Sequence, residues 1–300
     1  MEVRYSPAFK LLRKIAKYVL CGLYPLVIRV WHIPQVLSID ETLDIIIDKQ
    51  CSICRYGDGE FLYIIDRLNL PFQAQDPLLR SKMIAILKSS DKHILIGLPI
   101  GYHSLRNLVV ESERTWKSQI AWIYPRLRKY LDMKKTYANA SITRVYADYK
   151  DKSSSKSHFE KLMSIWRNRE IVLIEGEKSY IGVGNDLFAK AAKVERIIAP
   201  MHHAFSRYDE LYAEALKQER SKLILIALGP TATVLSYELA KEGYQAIDIG
   251  NVDIEYEWYR MRASSKVKIE GKYTSEAIGG RVVEGIIDDG YQRQIISRFS

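Results

Sequence analysis

Leu223-Ile224-Leu225-Ile226-Ala227-Leu228-Gly229-Pro230-Thr231-Ala232-Thr233 joins six consecutive apolar residues to a glycine, a proline and two hydroxyls. An apolar run without alternation describes a strand covered on both faces, as in parallel sheets. Gly229 permits a tight turn, Pro230 suits a first helical turn, and helical spacing follows over Thr231–Lys241. Working outward, strand-length runs recur at Ser52–Arg55, His93–Leu98, Ile171–Glu175, Arg196–Ala199 and Ala246–Ile249, with another strand expected over Thr136–Ile142. Helical patterns lie between them, at Thr42–Lys49, Glu60–Leu68, Asp76–Ser89, Ser112–Leu131, Phe159–Arg167, Asp186–Ala192 and Tyr208–Gln218. The alternation predicts one α/β domain around a mainly parallel sheet. The polar runs Asp148–Ser157 and Ser264–Gly280 are expected as mobile loops.

The 300 residues are 47% hydrophobic and 27% charged, which excludes a disordered chain. The formal charge of +9 is unevenly placed. Residues 1–31 contribute +5 of it, through Arg4, Lys10, Arg13, Lys14, Lys17 and Arg29 against Glu2. A nucleic-acid binder would spread basic charge over the folded body, so no nucleic-acid partner is expected. Three cysteines make no disulfide framework and point to a reducing, cytoplasmic setting. Cys51 and Cys54 straddle a strand and read as buried side chains rather than half a zinc site.

Phe9, Leu12, Ile15, Val19, Leu20 and Leu23 recur at helical steps, with Lys10, Arg13, Lys14 and Lys17 between them. The longest uncharged run, Tyr18–Ile28, falls well short of the roughly 20 residues that cross a bilayer. The segment reads as a basic amphipathic helix at an anionic membrane surface, on the inner face of the cell membrane. The alternative is a helix packed on its own domain or on a second subunit, giving a homo-oligomer. These patterns divide the chain into an extension over 1–37, a domain over 38–263 and a tail over 264–300.

Open parallel sheets bind ligands beyond their strands' carboxyl ends, and chemistry-bearing residues follow these runs. Arg55-Tyr56-Gly57-Asp58-Gly59-Glu60 follows the first. Asp58 and Glu60 are spaced to hold Mg²⁺ or Mn²⁺ with help from substrate phosphates, and Arg55 is placed to meet a diphosphate oxygen. The same residues also read as a solvated turn in which Asp58 caps the next helix. Gly229, Thr231, Ala232 and Thr233 form a helix-start anion site or, equally, an ordinary capped helix. The run Glu175–Asp186 holds Gly176, Gly182 and Gly184, which suggest a loop folded around a ligand, and Asn185 and Asp186 either cap a helix or contact a sugar or base. In Asp253-Ile254-Glu255-Tyr256-Glu257, a strand puts all three acids on one face and a helix only Asp253 and Glu257, so Asp253 stands beside Glu257 either way and the place of Glu255 stays open. No Gly-x-Ser-x-Gly elbow is present, so nucleophilic hydrolysis has no support.

Taken in order, RYGDGEF, Gln75-Asp76-Pro77, EGEKSYIGVGNDLF, the 199–210 stretch, LGPTATVLSYELAKEGYQAIDIG and VDIEYEWY resemble the GT-D glycosyltransferases over about residues 40–262. The resemblance implies a single Rossmann-like domain that transfers a hexose from a UDP-sugar to a glycan acceptor. That acceptor is a surface polysaccharide, a lipid-linked oligosaccharide or a glycoprotein glycan. It also implies a divalent metal at Asp58 and Glu60, with Arg55, Gly57, Gly229, Thr231, Ala232, Thr233, Asn185 and Asp186 around the donor. Two positions depart from the pattern: Tyr180 stands where Arg is expected and Asn251 where relatives often have His. If the reaction inverts the anomeric carbon, the acceptor hydroxyl needs a base; Asp253 is the first choice, Glu255 the second, and Glu177 a third. The competing readings are a nucleotide-binding module without catalysis and a polyanion-binding protein.

Overall fold

A computed structural model describes residues 7–285 and 288–299. Helix α1 (Pro7–Val30) leads through a short linker to α2 (Ile39–Lys49). The chain then alternates: β1 (Ser52–Arg55), α3 (Asp58–Ile65), α4 (Pro77–Leu87), β2 (Ile94–Leu98), α5 (Val110–Leu127), β3 (Ala138–Asn139) and α6 (Ser155–Ser164). Next come β4 (Glu170–Gly176), β5 (Lys193–Ala199), α7 (Tyr208–Leu216), β6 (Leu223–Ala227), α8 (Pro230–Lys241) and β7 (Ala246–Asp248). Helices α9 (Val252–Arg260) and α10 (Asp289–Gln294) precede a last strand, β8 (Ile295–Arg298). The strands form one sheet in the order β3-β2-β1-β7-β6-β4-β5-β8. Every pairing in it is parallel.

The unalternating runs have a direct cause. Along β6, Leu223 and Leu225 face one core, with α2, α6 and α9, while Ile224 and Ile226 face the other, with α4, α7 and α8. Successive side chains of a strand point to opposite faces, and here helices cover both. The same division places Ile171 and Leu173 of β4 on the first side and Val172 and Ile174 on the second.

Three expectations are corrected. Residues 186–192 form a chain of turns instead of a helix. Asn185 Oδ1 accepts the Leu187 N–H (3.0 Å), and the bonds Ala189 N to Asp186 O (3.1 Å) and Ala191 N to Phe188 O (3.0 Å) span only three residues. This short return lets β5 start beside β4, pinned where Trp166 Nε1 donates to the Leu187 carbonyl (2.9 Å). The strand expected over 136–142 stops after two residues because Asn139 Oδ1 accepts the Ser141 N–H (2.9 Å) and starts a 3₁₀ turn. The polar run 148–157 is tied down: Asp151 N donates to Asn107 Oδ1 (2.7 Å), and the buried Ser155 hydroxyl opens α6 and donates to the Val145 carbonyl (2.7 Å).

Both ends of the chain join the body. Helix α1 lies along α5 through Leu20, Cys21, Tyr24, Val27 and Trp31. Residues 264–285, with little regular structure, cross the sheet's carboxyl edge as a strap, and β8 then pairs with β5.

Candidate active site

Strand β1 continues toward β2 on one side of the sheet, whereas β7 is reached from β6 on the other, so the β1/β7 boundary is a topological switch point. Arg55 and Asp248 meet there, both buried, with Arg55 Nη2 donating to Asp248 Oδ1 (2.9 Å). Arg55 Nη1 donates to the Ala140 carbonyl (2.8 Å) and to Thr143 Oγ1 (2.5 Å). Burial raises the Asp248 carboxyl and the Arg55 guanidinium opposes the rise. Only Nε of Arg55 lacks a partner among the described residues. The expected phosphate ligand is therefore a strut of the switch point, since a guanidinium committed to three oxygens has little left for a diphosphate. Gly250 completes the joint: at φ +45° its backbone favours glycine, and a Cβ there would stand 2.0 Å from Arg55 Nη2.

The Gly229–Thr233 turn opens α8 beside this joint. Thr233 donates its hydroxyl to the Arg55 carbonyl (2.8 Å), which locks β1 to α8. Thr231 is also buried, but its Oγ1 has no partner among the described residues. Gly229 sits at φ +55° with the Phe72 ring 2.4 Å from where a Cβ would be. Phe72 in turn accepts the His203 N–H at its carbonyl (2.8 Å), and His203 Nδ1 accepts the Ala74 N–H (2.9 Å). An orphaned hydroxyl at an uncapped helix start, roofed by a ring and a histidine loop, can receive an anionic oxygen.

Gly57, Asp58 and Glu60 occupy the start of α3. Glu60 Oε2 accepts the Gly57 N–H (2.8 Å), while Asp58 is exposed. Burial pushes the Glu60 carboxyl up to about 7. One exposed and one half-buried carboxylate, the second penalised for its charge, fit a divalent cation that draws its other ligands from substrate oxygens and water. No group of three His, Cys, Asp or Glu side chains is placed to hold a metal ion among the described residues, so such a cation would depend on the substrate.

The acids of α9 divide as helical geometry requires. Asp253 accepts from Gly182 N (2.9 Å) and Asn185 Nδ2 (2.7 Å) at Oδ1, and from Lys272 Nζ (2.7 Å) at Oδ2. Glu257 Oε1 accepts from Asn185 Nδ2 (2.7 Å) and Lys272 Nζ (3.2 Å). With both oxygens bonded and 2% exposure, Asp253 is a buried anchor closed to an acceptor hydroxyl. Burial raises its carboxyl, and Lys272 opposes this. Asn185 is committed to the same cluster, and Asp186 receives the Tyr256 hydroxyl (2.9 Å) at the surface. Glu255 faces away, accepting Tyr146 N (3.2 Å) and Ala147 N (3.1 Å) at Oε2; Oε1 is buried without a partner among the described residues, and burial raises the group to about 7. Glu177 alone of the three base candidates is exposed. Since Glu175 pairs with Ala227, Glu177 runs level with the Gly229 turn.

Sequence reasoning missed the strap's contribution. Lys272 is buried between Asp253 and Glu257, and Glu276 receives Arg144 through two bonds (2.7 and 2.6 Å), Lys266 (3.0 Å) and Asn251 Nδ2 (2.8 Å). Against the cost of burial, Arg144 and Lys266 hold Glu276 well below the usual carboxylate range. Asn251, one of the two departures from the family pattern, thus serves to hold the strap. Tyr180, the other, is buried against the Tyr291 ring (5.1 Å between centroids). No local signal marks Lys272 or Arg144, because the partners of Lys272 lie 15 and 19 residues away and that of Arg144 lies 132 residues away, beyond the reach of any helical or strand period.

A family model described as glycosyltransferase GT-D fold matches residues 53–277. Glycosyltransferase GlyD of Streptococcus pneumoniae serotype 4 is 41% identical over 265 residues, 88% of this chain and 32% of that protein. Probable glycosyl transferase Gly of Streptococcus gordonii is 36% identical over 269 residues, 89% of this chain and 39% of that protein. The chain thus spans about a third of the length of these curated relatives. A solved structure described as the highly conserved domain of unknown function 1792 with a distinct glycosyltransferase fold superposes with TM-score 0.83 at 34% identity, covering 94% of this chain and 99% of that one. Another, described as a new glycosyltransferase from Streptococcus sanguinis, gives TM-score 0.85 at 34% identity, covering 89% of this chain and all of that one.

Proposed function

This chain belongs to the family of glycosyltransferases with the GT-D fold, and from that premise we propose that it transfers a hexose from a UDP-sugar to a glycan acceptor with a divalent cation, Mn²⁺ or Mg²⁺. The observation that carries the donor reading is the buried Thr231 hydroxyl at the start of α8, beside the switch point and without a partner among the described residues. Asp58 and Glu60 would hold the cation, which when bound supplies positive charge opposite the departing diphosphate. The Gly229–Thr233 backbone orients that diphosphate, and its N–H groups bind better as negative charge grows on the leaving group. Arg55, Asp248 and Thr233 keep the two strand ends rigid. Glu177 is the base for the acceptor hydroxyl because it is open to solvent and level with the turn. Asp253 and Glu255 act through position: one anchors the 182–185 loop and the strap, the other the 146–147 backbone. A surface polysaccharide, a lipid-linked oligosaccharide or a glycoprotein glycan remains the acceptor class.

The test is incubation with a panel of nucleotide sugars with and without Mn²⁺, scoring free nucleotide released without acceptor. Release from a UDP-hexose, dependent on the metal and lost in Asp58→Asn, is the expected result. Release from a different nucleotide class would refute the donor, and equal release without metal would refute the cation.

A further inference from the structure

Helix α1 covers one of its sides and leaves the other bare. Leu20, Cys21, Tyr24, Val27 and Trp31 turn toward α5 and the core. Leu11, Leu12, Ile15, Val19, Leu26 and Val30 are each more than half exposed. Their spacing follows the three- and four-residue step of one helical stripe, about 30 Å long at 1.5 Å per residue. A stripe of this length on a chain's surface is an interaction site rather than a scatter of exposed side chains.

Charge identifies what covers it. From Pro7 to Val30 the helix carries Lys10, Arg13, Lys14, Lys17 and Arg29 and no acid. Lys17 is neutralised by Glu111 of α5 and also donates to Thr115 Oγ1 (2.9 Å), so it belongs to the packed side. Arg13 and Lys14 are exposed. A second copy of this helix laid against the first would bring cation to cation. An anionic lipid surface would instead take the apolar stripe into its acyl boundary and meet the cations with headgroups. No helix among the described residues is long and apolar enough to cross a membrane, so α1 would lie on the bilayer.

We propose that the outward face of α1 docks this chain flat on an anionic bilayer. The orientation follows from the packing. Lys17 lies by Glu111, Cys21 by Arg114 and Tyr24 by Lys117, so α1 and α5 run parallel. Helix α5 leaves the carboxyl end of β2 and returns the chain to the start of β3, antiparallel to the strands. The amino-terminal end of α1 therefore lies at the carboxyl edge of the sheet. With α1 flat on lipid, the strands run along the membrane and their carboxyl edge opens parallel to it. Docking itself does not depend on the donor or acceptor proposed above.

Sedimentation of the full chain with phosphatidylcholine vesicles, with and without phosphatidylglycerol, tests this. Partition should rise at least about tenfold with the anionic lipid and fall as salt is added. The triple variant Leu12→Glu, Val19→Glu, Leu26→Glu changes only exposed positions; it should keep its far-UV circular dichroism and lose vesicle binding. Arg13→Gln with Lys14→Gln keeps the apolar stripe and should weaken binding several-fold. A full chain that stays in the supernatant with anionic vesicles overturns the proposal, as does a triple variant that sediments like its parent. A parent that self-associates in ultracentrifugation, with a monomeric triple variant and no vesicle binding, gives the face to a second copy and overturns it equally.

Discussion

Replacing Lys272 by Met tests whether the strap belongs to the folded domain. Lys272 is 3% exposed, and its ammonium bonds Asp253 at 2.7 Å and Glu257 at 3.2 Å. Methionine matches the stem but leaves two carboxylates with Asn185, the Gly182 N–H and, at 3.4 Å from Glu257, Arg260 Nη1. Breaking a buried ion pair from one side costs about 3–5 kcal/mol, because the remaining charge keeps its desolvation penalty without its partner. For a chain of this size, that lowers the thermal midpoint by roughly 10 °C. The sign with pH follows from Asp253, whose carboxyl is already raised by burial with the lysine present and must rise further without it. Acidification protonates it, so the deficit should be largest at neutral pH and shrink as the pH is lowered. Adding Asp253→Asn should recover about half of the loss or more, because the uncompensated charge is then gone. Urea unfolding at two pH values measures all three quantities, and hydrogen exchange over 264–285 reports whether the strap opens. A loss below about 1 kcal/mol, with unchanged exchange in the strap, would refute the clamp.

Thr231→Ala should weaken UDP binding by on the order of 1 kcal/mol in calorimetry without unfolding the chain, since one hydroxyl is lost; unchanged affinity would remove Thr231 from the site. Gly229→Val should damage folding as well as binding, because φ is +55° and Phe72 occupies the Cβ position, so it reads out first as a lowered thermal midpoint. Burial raises Glu255 to about 7, so the folded chain binds this proton more tightly than the unfolded chain, and stability falls as pH rises from about 4.5 to 7. Glu255→Gln should flatten that dependence and stabilise the chain at pH 8 by up to about 3 kcal/mol; a variant with the parent's pH profile would show that the acid is ionised throughout. Glu177→Gln should lower kcat by about 100-fold or more with UDP affinity unchanged, and equal turnover would move the base elsewhere.

The α/β class was legible in the sequence because local chemistry carries it. LILIAL and IVLIE lack alternation for the same reason that Leu225 and Ile226 enter opposite cores: helices cover both faces of the sheet. The turn residues were legible as well, since Gly229 and the Gly57–Glu60 segment follow strands whatever the partners are. The pairing of Asp253 with Glu257 was legible too, since strand and helix both give it, whereas the separation of Glu255 came only with the helix. What each group does there was not legible. Arg55 looks like a phosphate ligand until Asp248, Thr143 and Ala140 close around it, and Asp253 looks like a base until Lys272 reaches it from a stretch the sequence patterns leave outside the domain. The turns at 186–192 and the strand β8 were set by where the chain had to return beside β4 and β5, not by local propensity. Helix α1 divides the same way. Its amphipathic period is written in the sequence, but which side is bare was decided by packing, because Leu20, Tyr24, Val27 and Trp31 turned to the core and left Leu11, Leu12 and Leu26 outward. Spacing along the chain sets which side chains share a face. Only the meeting of distant segments sets which of them are neutralised, buried or left free, and those are the properties that chemistry uses.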